Sequence, residues 1–190
     1  MTAGFEREIK LAYPSRDAAY AAVASLGAAP FRPRRLQSDT LFDDAQGALS
    51  ARRAVLRVRR DGAQCAVTFK NPAEHPTMKL REEFETGIVD PDVMAAILEQ
   101  LGLTPWFRYE KYREEFALSD VVVAIDETPV GTFVELEGSE LGIATAAAAL
   151  GKGPADYVID SYRTLFLRYC AERGLAATHM LFASLPAPAS

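Results

Sequence analysis

Polar and apolar residues alternate with period two along most of the chain between residues 5 and 137. That period predicts eight strands: Phe5–Leu11, Gln37–Phe42, Arg53–Arg60, Gln64–Lys70, Met78–Glu85, Trp106–Phe116, Val121–Asp126 and Thr132–Glu137. Asp61-Gly62 between the third and fourth reads as a hairpin turn needing positive φ. Ser119-Asp120 and the Pro129/Gly131 region supply later turns. Helical spacing interrupts the strands. Ser15 caps a predicted helix over Arg16–Leu26, which Gly27 stops. Asp90-Pro91 opens a second helix that ends near Leu101, before Gly102. An Ala-rich helix runs from Ser139 to Leu150, and Ser161 opens a last one over Tyr162–Arg173, ended by Gly174.

Residues two apart on a strand share a face, so the pattern also sorts the charges. Glu6, Glu8 and Lys10 project together, as do Arg57 and Arg59, Lys111 and Arg113, and Glu135 and Glu137. Lys79, Arg81, Glu83 and Glu85 form another row, while Arg60 falls on the face opposite Arg57 and Arg59. A sheet with one wet face and one face packed on helices gives this alternation. So do eight strands closed on themselves with helices covering an apolar outside. Like charges on one face repel. Same-sign clusters make sense where each holds a ligand of opposite charge: carboxylates a hard divalent cation, Lys and Arg phosphate oxygens.

Length and composition set the frame. The chain has 190 residues, 49% hydrophobic and 25% charged, enough for one domain with its own core. The expected domain covers residues 1–174, and 175–190 reads as a tail on which Met180, Leu181 and Phe182 could dock. With 21 Lys+Arg against 26 Asp+Glu, the net charge is -5, a poor match to a nucleic-acid binder. No apolar run reaches the ~18 residues of a membrane span, so no membrane partner is expected. Met1–Lys10 is too polar for a signal peptide, and Cys65 and Cys170 read as buried free thiols of a cytoplasmic protein. Two histidines, His75 and His179, in loop-like surroundings argue against a zinc site or a Ser-His-Asp hydrolase. There is no Walker A glycine loop. Phe31–Arg35 reads as an exposed connector, and Trp106, Tyr162, Phe166 and Tyr169 as packing residues.

Six segments, in order, carry a family resemblance. Glu6-Arg7-Glu8-Ile9-Lys10 is an E-x-E-x-K on the first strand. Leu56-Arg57-Val58-Arg59-Arg60, Thr68-Phe69-Lys70-Asn71-Pro72, Arg81-Glu82-Glu83-Phe84-Glu85 and Lys111-Tyr112-Arg113 follow. Asp126 and Gly131–Glu137 close the series. Over residues 4 to 173 the chain resembles the CYTH superfamily, the triphosphate tunnel metalloenzymes. Tyr157 and Ser161-Tyr162 resemble its bacterial class IV adenylyl cyclase-like members. The resemblance implies an α+β fold, a closed eight-stranded antiparallel β-barrel with helices outside.

It also implies a site. Glu6, Glu8, Asp126, Glu135 and Glu137 would hold Mg²⁺ or Mn²⁺. Lys10, Arg57, Arg59, Lys70, Arg81, Lys111 and Arg113 would hold a triphosphate: ATP, thiamine triphosphate or inorganic triphosphate. Lys70, Glu83 and Glu85 are the candidates for catalytic duty. The implied reaction is either formation of cyclic AMP and pyrophosphate from ATP or hydrolysis of a triphosphate. The rival reading is a non-catalytic module that binds a polyphosphate or nucleotide; a homodimer is a further expectation. The inward set is electrically balanced, which the net charge of the whole chain conceals.

Overall fold

The computed structural model describes residues 4–185. Eight antiparallel strands form a closed barrel. They are β1 (Gly4–Tyr13), β2 (Ala29–Asp43), β3 (Val55–Asp61), β4 (Gln64–Ala73), β5 (Lys79–Gly87), β6 (Thr104–Leu118), β7 (Val121–Thr128) and β8 (Gly131–Gly138). Round the barrel the order is β1-β5-β4-β3-β2-β6-β7-β8, and β8 pairs with β1 to close it. The helices are α1 (Arg16–Ser25), a single turn α2 (Ala48–Ala51), α3 (Pro91–Gln100), α4 (Glu140–Ala149) and α5 (Tyr162–Arg173). The expected α+β barrel is the observed fold.

The predicted caps hold. Ser15, Asp90, Ser139 and Ser161 each accept a backbone N–H in the first turn of their helix. Gly62 takes the predicted positive φ, 61°, at the β3–β4 hairpin.

Two stretches differ from expectation. β2 begins at Ala29, so Phe31–Arg35 lies within a strand and is not a connector. The pairing with β6 slips between Pro30 and Arg32 and again between Arg32 and Arg35. Pro30 and Pro33 lack the N–H a regular ladder needs, and bulges absorb them. Arg53 belongs to the turn between α2 and β3, with φ at 60°, rather than to the strand.

Outward apolar residues pack under the helices. Ile9, Leu11, Val123, Ile125, Val134 and Leu136 meet α1 and α4 through Ala19, Val23, Ile143 and Ala147. Val58 and Phe42 meet Leu98 of α3. The inward face is charged except near one end of the barrel. There Leu41, Phe107 and Phe133 share strand faces with Asp39, Tyr109 and Glu135. They pack against Tyr162, Phe166 and Cys170 of α5 and against Met180. α5 therefore covers part of one end of the barrel with apolar side chains. Met180 is fully buried, and its backbone pairs with β6 through Arg108 O and Glu110 N. Cys65 is only partly buried, contrary to expectation; Cys170 is buried.

Candidate active site

The barrel surrounds a cavity of about 1830 Å³. Every sequence-expected site residue except Asp126 lines it directly. Alternation explains why: on most strands the charged row turns inward and the apolar row outward.

The acidic wall is built by neighbouring strands β1 and β8, where Glu8 lies opposite Glu137 and Lys10 opposite Glu135. Glu6, Glu8 and Glu137 each place a carboxylate oxygen within 4.8 Å of the others. Burial, reinforced by Glu6, Glu135 and Glu8, pushes the Glu137 carboxyl up to about 7. Three crowded oxygen donors without Cys or His fit a hard cation such as Mg²⁺ or Mn²⁺. Burial also opposes the charge on Glu8, yet Lys10, Lys79 and Lys70 outweigh it and hold that carboxyl well below the usual range.

Lysines bridge this wall to the rest. Lys70 on β4 donates to Glu6 at 2.6 Å and lies 2.8 Å from Glu83. Lys10 donates to Glu8 at 2.8 Å and lies 3.5 Å from Glu135. Lys79 pairs with Glu8 as well. Burial and then Glu6 push the Glu83 carboxyl up, although Lys70 counters them.

The arginine wall is β3. Arg59 forms a two-pronged contact with Asp39 at 2.8 and 3.1 Å. Arg57 is held more loosely. Its Nε lies 3.4 Å from Asp39 without a hydrogen bond, and its Nη2 donates to Thr68 at 3.2 Å. Thr68 donates in turn to Glu85 at 2.7 Å. Asp39 is fully buried; burial disfavours its charge, but Arg59 and Arg57 overcome that and lower its carboxyl. Arg81 on β5 has a different partner, the Arg53 carbonyl oxygen at 2.6 Å.

Asp126 sits behind the cations. It accepts from Lys111 at 2.8 Å, from Arg113 at 2.7 and 2.6 Å, and from Tyr162 at 2.6 Å. Arg113 also donates to Glu135 at 2.5 Å. Asp126 and Glu135 share Arg113, while Glu6, Glu8 and Glu137 form the compact oxygen group, in which Lys70 holds Glu6 and Lys10 and Lys79 hold Glu8. Burial and the adjacent Arg113 lower the Lys111 ammonium to about 8.

Four site residues were absent from the sequence-expected set. Asp39 orients the arginines, Lys79 reaches Glu8, and Tyr109 lines the cavity. Tyr162, which reads as a packing residue, lies with its ring 5.2 Å from Lys10 Nζ and 5.1 Å from Lys111 Nζ. The faces of β2 and β5 signal Asp39 and Lys79. A helical aromatic such as Tyr162 carries no such signal.

Among known proteins, the model described as CYTH domain matches residues 4–152. A Methanocaldococcus jannaschii protein named "Putative adenylate cyclase" is 30% identical over 135 residues, covering 70% of this chain and 77% of that protein. A solved structure from Vibrio parahaemolyticus with the same designation superposes with a TM-score of 0.75 at 20% identity, covering 86% of this chain and 98% of the other. A Hippeastrum protein designated an adenylyl cyclase, whose structure is described as revealing a dominant triphosphatase activity, superposes with a TM-score of 0.65 at 20% identity. That match covers 90% of this chain and 97% of the other. These two structural likenesses establish shared architecture. No helix among the described residues is long and apolar enough to cross a membrane.

Proposed function

This chain belongs to the CYTH domain family, and we propose that it is a divalent-metal-dependent enzyme that binds a triphosphate in the tunnel and processes it there. One observation carries the reading. A compact carboxylate trio and rows of buried Lys and Arg face a single cavity inside one closed barrel. Anion binding alone has no use for the trio, and metal binding alone has no use for the cations.

Glu6, Glu8 and Glu137 would hold Mg²⁺ or Mn²⁺. When bound, such an ion supplies Lewis acidity toward phosphate oxygens. The chain's own cations do the remaining work. Arg57, with one unpartnered Nε, and Lys70 bind phosphate oxygens from the β3–β4 side. Arg59, Lys111 and Arg113 bind them from the β3 and β6 sides. Their buried carboxylate partners fix these side chains before substrate arrives, so little reorganisation accompanies the charge that develops on the leaving phosphate. Glu83 and Glu85 brace Lys70 and Arg57 through an ion pair and through Thr68.

Two reactions use this framework. Attack by water on a terminal phosphorus releases phosphate, the chemistry in the description of the Hippeastrum protein. Attack by the ribose 3′-oxygen of ATP on the α-phosphorus gives cyclic AMP and pyrophosphate, the chemistry in the name of the 30% identical relative. The test is incubation with ATP, thiamine triphosphate and inorganic triphosphate, each with Mg²⁺ or Mn²⁺, and chromatography of the products. Orthophosphate identifies a hydrolase and cyclic AMP a cyclase. No turnover of any of them contradicts the enzyme reading.

A further inference from the structure

The two ends of the tunnel differ in how their cations are balanced. At the end where β3 runs into β4, Arg32 and Arg35 are neutralised. Arg35 donates to Asp61 at 2.5 Å and to Glu115 at 2.6 Å. Arg32 lies 3.0 Å from Asp61 and 3.5 Å from Glu115. The interior cations are likewise paired with carboxylates.

The α5 end is different. Three guanidinium residues line the cavity, Arg53, Arg81 and Arg163, and among the described residues none has a carboxylate within ion-pair distance. Arg53 is on the turn before β3, Arg81 on β5, and Arg163 in the first turn of α5. Arg81 spends one N–H on the Arg53 carbonyl. Arg163 lies 4.6 Å from the centre of the Trp106 ring. Burial and then the neighbouring Arg53 lower the Arg81 guanidinium, against the opposing pull of Glu8 and Glu6. Arg53 also holds a left-handed backbone, φ 60°, that is rare for a side chain of its kind. A strained turn thus presents a guanidinium with no carboxylate within ion-pair distance among the described residues.

Resting on the tunnel reading above, we infer that the polyphosphate enters at the α5 end and that Arg53, Arg81 and Arg163 form a phosphate-binding rim. The rim engages a phosphate group beyond those gripped inside. It therefore favours a chain of more than three phosphates over triphosphate itself, because only the longer chain fills interior and rim together.

Calorimetry in chelator, without turnover, tests this with inorganic triphosphate and linear inorganic tetraphosphate. The main variant is Arg53→Gly with Arg163→Gln. Glycine accepts the positive φ, so the turn is preserved while the guanidinium is lost. Arg173→Gln, at the exposed end of α5, controls for the loss of a positive charge. Wild type is expected to bind tetraphosphate more tightly than triphosphate. The double variant should lose about tenfold in tetraphosphate affinity and much less for triphosphate, with the control unchanged. Wild type binding both ligands equally, or a double variant matching wild type, overturns the rim and leaves the tunnel reading standing. Wild type that binds neither ligand, in chelator or in a repeat with Mg²⁺, overturns both.

Discussion

Tyr162 Oη donates to Asp126 Oδ2 at 2.6 Å, on the carboxylate that also receives Lys111 and Arg113. The helix that covers part of one end of the barrel and the cations that line its interior therefore share one acceptor. Tyr162→Phe deletes this bond but keeps the ring that packs edge-on against Phe133. A hydrogen bond to a charged group contributes about 1.5–3 kcal/mol, and urea unfolding should show a loss of that order. Unchanged stability would mean that the bond does not fasten α5.

Asp39 makes the arginine wall sensitive to acid. Burial disfavours its charge, but Arg59 and Arg57 lower its carboxyl below the ordinary 3.8. A group with a depressed folded-state value contributes stability above about 3.8 and loses it as pH falls through the folded-state value. Asp39→Asn removes the anion between two buried guanidinium groups and should cost about 3 kcal/mol at pH 7. The gap between variant and wild type should narrow below pH 3.8. A gap that stays constant into strong acid would contradict the assignment.

Lys70 touches the acidic wall through Glu6 and the β5 row through Glu83. Lys70→Ala removes a charge-assisted contact to phosphate and should weaken triphosphate binding or rate roughly 10- to 150-fold. Unfolding curves recorded in parallel separate this from damage to the fold. Retained affinity and rate would remove Lys70 from the site.

Glu137→Gln takes one donor from the oxygen trio while relieving repulsion among carboxylates. The metal-free protein should unfold at the same temperature as wild type or higher. Its Mn²⁺ affinity, measured by titration, should fall more than about tenfold. A variant that unfolds without metal would instead make Glu137 a structural ion-pair partner.

Much of the barrel was legible because one side chain in two is inward on every strand. The rows Glu6-Glu8-Lys10 and Arg57-Arg59 follow from that alone, and the serine and aspartate caps follow from residue type ahead of helical spacing. The pairing between charges was not legible. Strand order departs from chain order, so Lys70 of β4 meets Glu6 of β1 across β5, and no local pattern encodes that meeting. Pro30 and Pro33 hid the first half of β2, since prolines signal a break and bulges that accommodate them leave no local mark. Tyr162 was hidden for a different reason. Its ring does pack as a core residue does, and nothing in helical spacing shows that the same ring also faces Lys10 and Lys111.

The most direct measurement of the central claim is anomalous scattering from crystals grown with Mn²⁺ and a non-hydrolysable triphosphate. A manganese peak is expected among Glu6, Glu8 and Glu137, with phosphate density against Lys70, Arg57 and Arg59. Manganese elsewhere, or phosphate density outside the barrel with an ordered interior, would contradict it.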